Sequence, residues 1–532
     1  SLLMVTVGLI AVWLGQERRL FHALSAAAVG ILLHDPQALF DISFQLSFLS
    51  VLAIAGWLSW STETEAEEQL RPPSFLRSCV RWGRDSVVMS GVVTMATLPL
   101  VAYYFNQLPW LGLFTNVVAV PVMGVFLVPI GLIAGISQIV AGGSVLPLAS
   151  LNQWLLEHFV AAVRLVSMLP GGEWHVAAPS AFAMVLFYCC LGLLWRRMGH
   201  RLVQWAAGAG LLMVVLWWAW SPRIFLDGDR FRVTFLDVGQ GDSAVIELPD
   251  GQVVLIDGGA TYERFDMGRA VVGPFLWNRG IRTIDQMIGT HPQLDHVGGL
   301  AWVLRHFMVK HYWGSGETRK EPFYQRLQDS LAYRGLREGV AREGQEILSS
   351  GPCRLVVLNP SAHEQDDLGL PENRVSGRML NNRSVVTRLT CGHHTILFAA
   401  DVEHDGLSRM TSSPFHSTAE VVKVPHHGAA SSLNRDWLAS IHPQYAVFSA
   451  GRHNRYRHPA ETVLEAYGFE GSAVFRTDRD GGVWFTGRAS GETLHVHRAR
   501  ELSWQLTNST SCLWTCEQAN WARVWKQWRD PH

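Results

Sequence analysis

HPQLDHVGGL, residues 291–300, brings two imidazoles and a carboxylate together ahead of a glycine pair. His291, Asp295 and His296 offer nitrogen and oxygen donors from one short loop. That donor mixture suits zinc, manganese or iron. Ahead of the loop lie roughly 220 residues of recurrent apolar runs, many of them long enough for membrane-spanning helices. A hydrolytic metal site joined to a polytopic membrane domain is a rare combination. The pairing narrows function more than either half does.

The chain has 532 residues, of which 48% are hydrophobic and only 17% charged. Average soluble domains carry about 25% charged residues, and the deficit is concentrated in the first half. A formal net charge of −1 excludes a global basic excess, so any nucleic-acid contact must come from local patches. The 7 cysteines are too sparse for a disulfide scaffold. Cys189 and Cys190 fall in an apolar helix and read as packing residues. Cys512 and Cys516 would pair if that end lies outside the cytoplasm, or stay free thiols. Ser1 opens inside an apolar run with no initiator Met, which reads as a fragment lacking its N-terminus and not as a signal peptide.

Apolar segments recur at about 4–15, 21–34, 38–60, 86–105, 110–140, 146–169, 178–195 and 202–220. Most approach the ~20 residues that cross a bilayer. Segment 110–140 is too long for one straight span, and Pro121 and Pro129 predict a broken or tilted helix pair. Positive clusters stay cytoplasmic. Arg18 with Arg19, Arg71 with Arg77, Arg81 and Arg84, and Arg196 with Arg197 and Arg201 all fall inside if 110–140 crosses once. The last helix then exits outward through Trp217, Trp218 and Trp220, and everything past about residue 222 is extracytoplasmic. Polar residues within these runs pair by face: Asp41 with Gln45, and Glu157 with Arg164. Asn116 and Gln107 flank the broken segment. They read either as a polar path through the bundle, or as interhelical hydrogen bonds and a Glu–Arg pair that hold it together. The acidic run TETEAEEQL, 62–70, reads as a solvated loop.

From Phe231 the period changes. FRVTFLDVG and SAVIELPDGQVVLIDGG read as strands, with Pro249-Asp250-Gly251 as the hairpin turn. Strand and helix patterns then alternate to about 495, an α/β arrangement with helix-covered sheets. Further candidate ligands stand at strand ends. Asp401 ends TILFAAD, His426 and His427 follow VVKVP, and His458 lies in RYRHP. Each alone has an ordinary reading as a turn cap or helix cap. Their order, all in strand-to-loop positions, points to one assembled site.

These residues resemble the metallo-β-lactamase fold superfamily and, within it, the ComEC-type natural-competence proteins, which are inner-membrane DNA uptake channels. FLDVGQGDSAVIELPDGQVVLIDGG, THPQLDHVGG, NNRSVV, FAADVE, KVPHHGAASS and SAGRHNRYRHP are similar to that family's motifs, in the same order. LLHDPQALFDISFQLSFLSVLAI and LPLVAYYFNQLPWLGLFTNVVAVPVMGVFLVPIGLIAG resemble its competence domain. The resemblance implies a membrane domain over 1–221 with about seven or eight helices. An αββα sandwich over 229–495 and a C-terminal tail over 496–532 follow. The family's small N-terminal soluble domain is absent, which agrees with truncation.

Carried over by position, the resemblance makes His291, Asp295 and His296 metal ligands, Asp401 a bridging carboxylate and His426 the late ligand, with His427 its rival. Asp257 would orient the metal loop. Asp237, Gln240 and Asp242 would lie at the rim, with Ser384 and Arg455 near substrate. His458 would touch the phosphate or protonate the leaving group, and Asp295 and His458 are the catalytic candidates. The chain departs from the superfamily at Gln293, where His or Asp normally binds the first metal, and at Asn382, where many members place another first-metal His. The expectation is an asymmetric centre of one tight divalent metal, manganese or zinc, and a second that is weak, substrate-recruited or absent.

Three functions compete. The first is a DNA uptake channel whose soluble domain hydrolyses the non-transported strand, with Arg452, His453, Arg455, Arg457 and His458 and the cluster Arg374, Arg378 and Arg383 gripping phosphates. The second is a domain that guides DNA without cutting it, favoured by Gln293. The third is a tethered hydrolase of a lipid or wall phosphodiester. Expected partners are DNA, membrane lipid, other competence machinery and a second copy of the chain.

Overall fold

The computed structural model describes residues 20–65, 75–141, 148–169, 171–172, 174–195, 201–219, 228–263, 265–361 and 376–500. Arg18, Arg19, Arg71, Arg196, Arg197, Trp220, Arg374 and the Cys512–Cys516 pair lie outside them. The chain divides into two compact units between Ala219 and Trp220.

The first unit is helical: α1 (Leu20–His34), α2 (Ile42–Glu65), α3 (Phe75–Phe105), α4 (Gly112–Pro121), α5 (Val128–Ala141), α6 (Ala149–Ser167), α7 (Ala181–Trp195) and α8 (Arg201–Ala219). Two runs, Arg81–Phe105 and Gly112–Val140, are long and apolar enough to cross a membrane; four other helices are apolar but shorter. Segment 110–140 holds one helical run, so of the two alternatives expected for it, broken or tilted, it is not the broken one. A π turn over Val122–Leu127 joins α4 to α5 in one helical run. Pro129 has no N–H to give back along the helix and crowds the carbonyl four residues before it. The wider π turn just ahead of it is where the ladder gives way. The acidic run read as a loop begins inside α2, which extends to Glu65.

The polar residues of this unit do local work. Asp41 caps α2, its Oδ1 accepting from the N–H groups of Ser43 and Phe44 at 2.7 and 3.0 Å. Gln45 donates to Leu39 O and accepts from the Tyr104 hydroxyl. Glu157 accepts from Gln153 one turn away. Both Glu157 and Arg164 are exposed, and no ion pair joins them. Asn116 is half-buried on α4. Gln107 lies in β1 (Gln107–Leu108), paired with β2 (Trp174–His175).

The second unit is two sheets with helices outside. One sheet has eight strands. These are β3 (Arg230–Phe235), β4 (Ala244–Glu247), β5 (Val253–Ile256), β6 (Thr283–Ile288), β7 (Met308–Gly314), β8 (Glu338–Val340), β16 (Val483–Arg488) and β17 (Leu494–Arg498), ordered β17-β16-β3-β4-β5-β6-β7-β8. The other has seven: β9 (Glu346–Ser350), β10 (Cys353–Asn359), β11 (Val386–Cys391), β12 (His394–Phe398), β13 (Val421–Lys423), β14 (Tyr445–Phe448) and β15 (Ala473–Arg476), ordered β15-β14-β13-β12-β11-β10-β9. Strand alternation builds the layers. Phe231, Val233 and Phe235 of β3 and Val254 and Ile256 of β5 face Leu355, Leu389, Ile396 and Phe398 across the sandwich. Val253 and Leu255 turn outward onto helices α9 (Gly273–Asn278), α11 (Leu300–His306) and α12 (Pro322–Arg334). Each large side chain so buried stabilises the fold by roughly 1.5–3 kcal/mol. The last strand runs past 495 to Arg498, and Ala499 and Arg500 still bond back to Gly482 and Asp480.

Cys353 and Cys391, fully buried and directly opposite on β10 and β11, form a disulfide. Cysteine counting alone does not anticipate it. Replacing both by Ala is expected to lower stability by about 2–4 kcal/mol. Thermal melting of the full chain tests this: reductant should lower the wild-type midpoint and leave the double variant unmoved. Identical wild-type curves with and without reductant would remove the bond from the account.

Candidate metal centre

The site forms where strands of both sheets end. Past β5, Asp257 adopts a left-handed backbone (φ 58°) and is fully buried. Its Oδ1 accepts the Thr290 N–H and its Oδ2 the Thr290 hydroxyl, both at 2.8 Å, and Oδ2 lies 2.8 Å from His296 Nδ1. Burial raises the Asp257 pKa, while His296 opposes the rise. Asp257 therefore fixes the His296 ring and sends its Nε2 inward. Past β6, residues 289–293 lead into the short helix α10 (Leu294–Val297) that carries Asp295 and His296. The loop packs without room for side chains. Gly241 has φ 138°, and a Cβ there would meet Asp295 O at 2.2 Å.

Asp401 follows β12, and His427 follows β13. Asp401 Oδ2 lies 3.2 Å from His296 Nε2 and 3.5 Å from His427 Nε2; His427 Nε2 is also 3.5 Å from Asp295 Oδ2. His291, His296 and Asp401 form one trio with donor atoms within 4.8 Å of one another, and Asp295, His296 and His427 form a second. The Nε2 atoms of His291, His296 and His427 and both oxygens of Asp401 are buried with no hydrogen-bond partner. Buried polar atoms are normally paired. Unpaired donors facing one small space fit a divalent metal.

His427, rather than His426, meets the cluster. Its Nδ1 is held by Ser449 O at 2.9 Å, so Nε2 points inward. His426 stands at the rim, with Nε2 3.7 Å from Asp401 Oδ2 and Nδ1 3.7 Å from Glu403 Oε1. Gln293 donates to Asn381, which in turn donates to Glu403. Asn382 turns away: its Oδ1 accepts from the N–H groups of Glu403 and Gly406. Ser384 bonds to Asn381 O. Asp237 caps Gly239, and Gln240 Oε1 accepts the Gly451 N–H at 3.1 Å. His458 is half-buried, with an unpartnered Nδ1 and its ring stacked 6.4 Å from His427. Arg455 lies over Tyr456. Arg383 is buried against Glu317, and Arg378 pairs with Asp405, so neither stands as a free phosphate grip.

Sequence reading missed Lys423. This buried ammonium donates to Ala400 O at 2.9 Å, pairs with Asp242 and lies 3.6 Å from Asp401 Oδ1. The available signal was a charged residue inside the apolar strand VVKVP. Asp242 is more than a rim group, lying between Lys423 and His427, 3.3 Å from His427 Nδ1.

Burial pushes His291 down to about 3, helped by charge on His296. Burial works against charge on His427 too, but the Asp401 and Asp242 carboxylates overcome it and hold it at about 9. His296 is likewise raised well above its ordinary value, against burial, by Asp401 and Asp257. Burial disfavours the ionised forms of Asp295 and Asp401, but the imidazoles facing them hold both below the usual carboxylate range. Burial and the neighbouring charges on His427 and His426 lower His458 to about 4. In the metal-free cluster His427 adds stability that is full below 6.5 and fades as pH climbs through about 9. Metal must displace the protons on His296 and His427. Apparent metal affinity is therefore expected to rise with pH, by up to about a hundredfold per unit for two protons. Chelator competition between about pH 6 and 9 measures it, and a flat profile would exclude these imidazoles as ligands.

Two families match: competence protein over residues 1–201 and the metallo-beta-lactamase superfamily over 236–452. ComE operon protein 3 of Bacillus subtilis (strain 168) is 26% identical over 484 residues, 87% of this chain and 58% of that protein. Competence protein ComA of Neisseria gonorrhoeae is 26% identical over 489 residues, covering 90% and 60%. The chain thus spans less than two thirds of the length of these relatives. CmlA, a diiron beta-hydroxylase from Streptomyces venezuelae, superposes with a TM-score of 0.31 at 15% identity, covering 60% of this chain and 65% of that one. The chain thus joins a competence-protein domain to a metallo-β-lactamase-superfamily domain, and over most of its length it is similar to these two competence proteins.

Proposed function

We propose that this protein takes up DNA across the inner membrane in natural transformation, and that its second unit is a metal-dependent phosphodiesterase acting on the strand left outside. One observation carries the reading: three imidazole Nε2 atoms and both Asp401 oxygens are buried, unpaired and gathered in one space. A divalent ion bound there supplies Lewis-acid activation of water and phosphodiester. Asp295, His296, Asp401 and His427 would hold it, manganese or zinc, with His291 and Gln293 as the sparser side for a second. The protein's own share is orientation. Asp257 sets the His296 ring, Ser449 sets His427, and Lys423 occupies the far side of Asp401. Exposed Arg455 draws the phosphate towards the pocket. His458, half-buried beside His427 and kept neutral by its lowered pKa, is the group placed to contact the substrate phosphate.

The multi-pass reading of the first unit is supported by outward apolar side chains such as Phe114, Val118, Val125, Leu132 and Ile139. An extracytoplasmic second unit is supported by the Cys353–Cys391 disulfide, since such bonds persist in oxidising compartments. Lipid, other competence machinery and a second copy of the chain are the partners this reading carries.

A second reading is favoured by Gln293 itself: its Nε2 is fixed on Asn381, and it has only a neutral carbonyl oxygen to offer where His or Asp would bind a first metal. The domain would then bind and guide DNA without cutting it. Cleavage of linear DNA by the full chain with manganese or zinc decides between them. Asp295→Ala is expected to lower the rate at least about a thousandfold while DNA binding persists. A wild-type protein that holds both metal and DNA yet cleaves nothing would leave the guide.

A further inference from the structure

The loop after β14 is built to present a ring. Asn454 cinches it, donating from Nδ2 to Gly451 O at 2.8 Å and to His458 O at 2.6 Å and accepting the His458 N–H at 2.9 Å. His453 and Arg457 both take left-handed backbone, φ 55° and 57°. Gln240 ties the loop's start to the opposite sheet. A loop so pinned loses little further freedom on binding.

From the metal pocket a column of rings runs through this loop to the surface. His458 stacks on His427 at 6.4 Å and 27°, and Tyr456 stacks on His458 at 5.6 Å and 26°. The Arg455 guanidinium lies 4.7 Å from the Tyr456 centroid. Tyr456 is 53% exposed. A second tyrosine, Tyr262, is 56% exposed on the turn after β5. That turn is closed by the Thr261 hydroxyl on Asp266 and by the Tyr262 N–H on Phe265 O. That turn packs on the metal loop, since a Cβ on Gly298 would meet Thr261 N at 2.7 Å. Exposed Tyr456 with its cation, on the ring column, and exposed Tyr262, on the turn packed on the metal loop, thus both border the donor cluster.

Resting on the phosphodiester reading above, we propose that Tyr456, Tyr262 and Arg455 form a stacking subsite for unpaired nucleobases beside the phosphate at the metal, so that the substrate is single-stranded DNA. Base faces inside a duplex are already covered by their neighbours, and only an unpaired strand presents them to a protein ring. Arg455 serves that strand twice, by its charge towards phosphate and by its plane towards a base.

The test reads binding and not cleavage. The full chain in detergent, held metal-free by chelator, is titrated with fluorescent oligothymidylate and with a blunt duplex of the same length. Tyr456→Ala and Tyr262→Ala are each expected to weaken single-strand binding roughly tenfold, the scale of losing one base–aromatic stack, and to leave duplex binding unchanged. Tyr456→Phe should restore what Tyr456→Ala loses. Single-strand binding that is indifferent to both alanine variants, an equal loss for duplex and single strand, or a phenylalanine variant as weak as the alanine one overturns the subsite. Loss of the tyrosine effect with Asp295-dependent cleavage intact sinks only this subsite. A tyrosine effect without any cleavage sinks only the phosphodiesterase.

Discussion

The second unit is organised around a buried concentration of negative charge. Asp242, Asp257, Asp295 and Asp401 converge on one space, three of them fully or nearly fully buried. Isolated ionised carboxylates there would cost several kcal/mol each. The fold answers with cations and donors delivered by different strand ends. Lys423 comes from β13, the His296 ring from α10 after β6, and one N–H and one O–H donor from Thr290. Removing one cation would leave its partners charged and unpaired, which costs more than the pair's net contribution. The two sheets and their helices hold these ends in register.

Much of the donor set was legible because it is local. The His291–Asp295–His296 loop spans six positions, and Asp401 and the His426-His427 pair sit where apolar strands stop. The strand alternation that separates Phe231, Val233 and Phe235 from the outward residues was equally plain. What failed to show was geometry set by contacts distant in sequence. Neighbouring His426 and His427 look alike until Ser449, twenty-two residues on, binds the Nδ1 of one of them. Asn382 and Asn381 exchange roles because Glu403 and Gly406 claim the former. Cys353 and Cys391 are far apart in the chain, and only the strand register brings them face to face.

The helical unit shows the opposite balance. Its apolar runs declare themselves by composition. Its polar residues mislead, because a polar side chain in an apolar run is satisfied by local backbone as readily as by a partner helix. Asp41 is a helix cap and Glu157 bonds along its own helix. Gln45 meets Tyr104 of α3, a bond between two helices.

In the proposed reading the two faces of Asp401 would set the centre's asymmetry. The imidazoles of His296 and His427 lie towards Oδ2, while the Lys423 ammonium lies towards Oδ1. A fixed cation there holds the carboxylate's orientation and already satisfies part of its charge. Gln293 gives its Nε2–H to Asn381, leaving only a neutral carbonyl oxygen to offer a metal. Both donor trios, Asp295, His296 and His427 and His291, His296 and Asp401, use His296; its Nδ1 is held by Asp257 and its Nε2 can bind one ion, so two ions would leave one side short of a protein donor. In the proposed reading a phosphodiester oxygen is a hard anionic donor of the kind that side lacks. In that reading the substrate would supply the missing donor, and binding energy from the flanking bases would help to hold that oxygen in place.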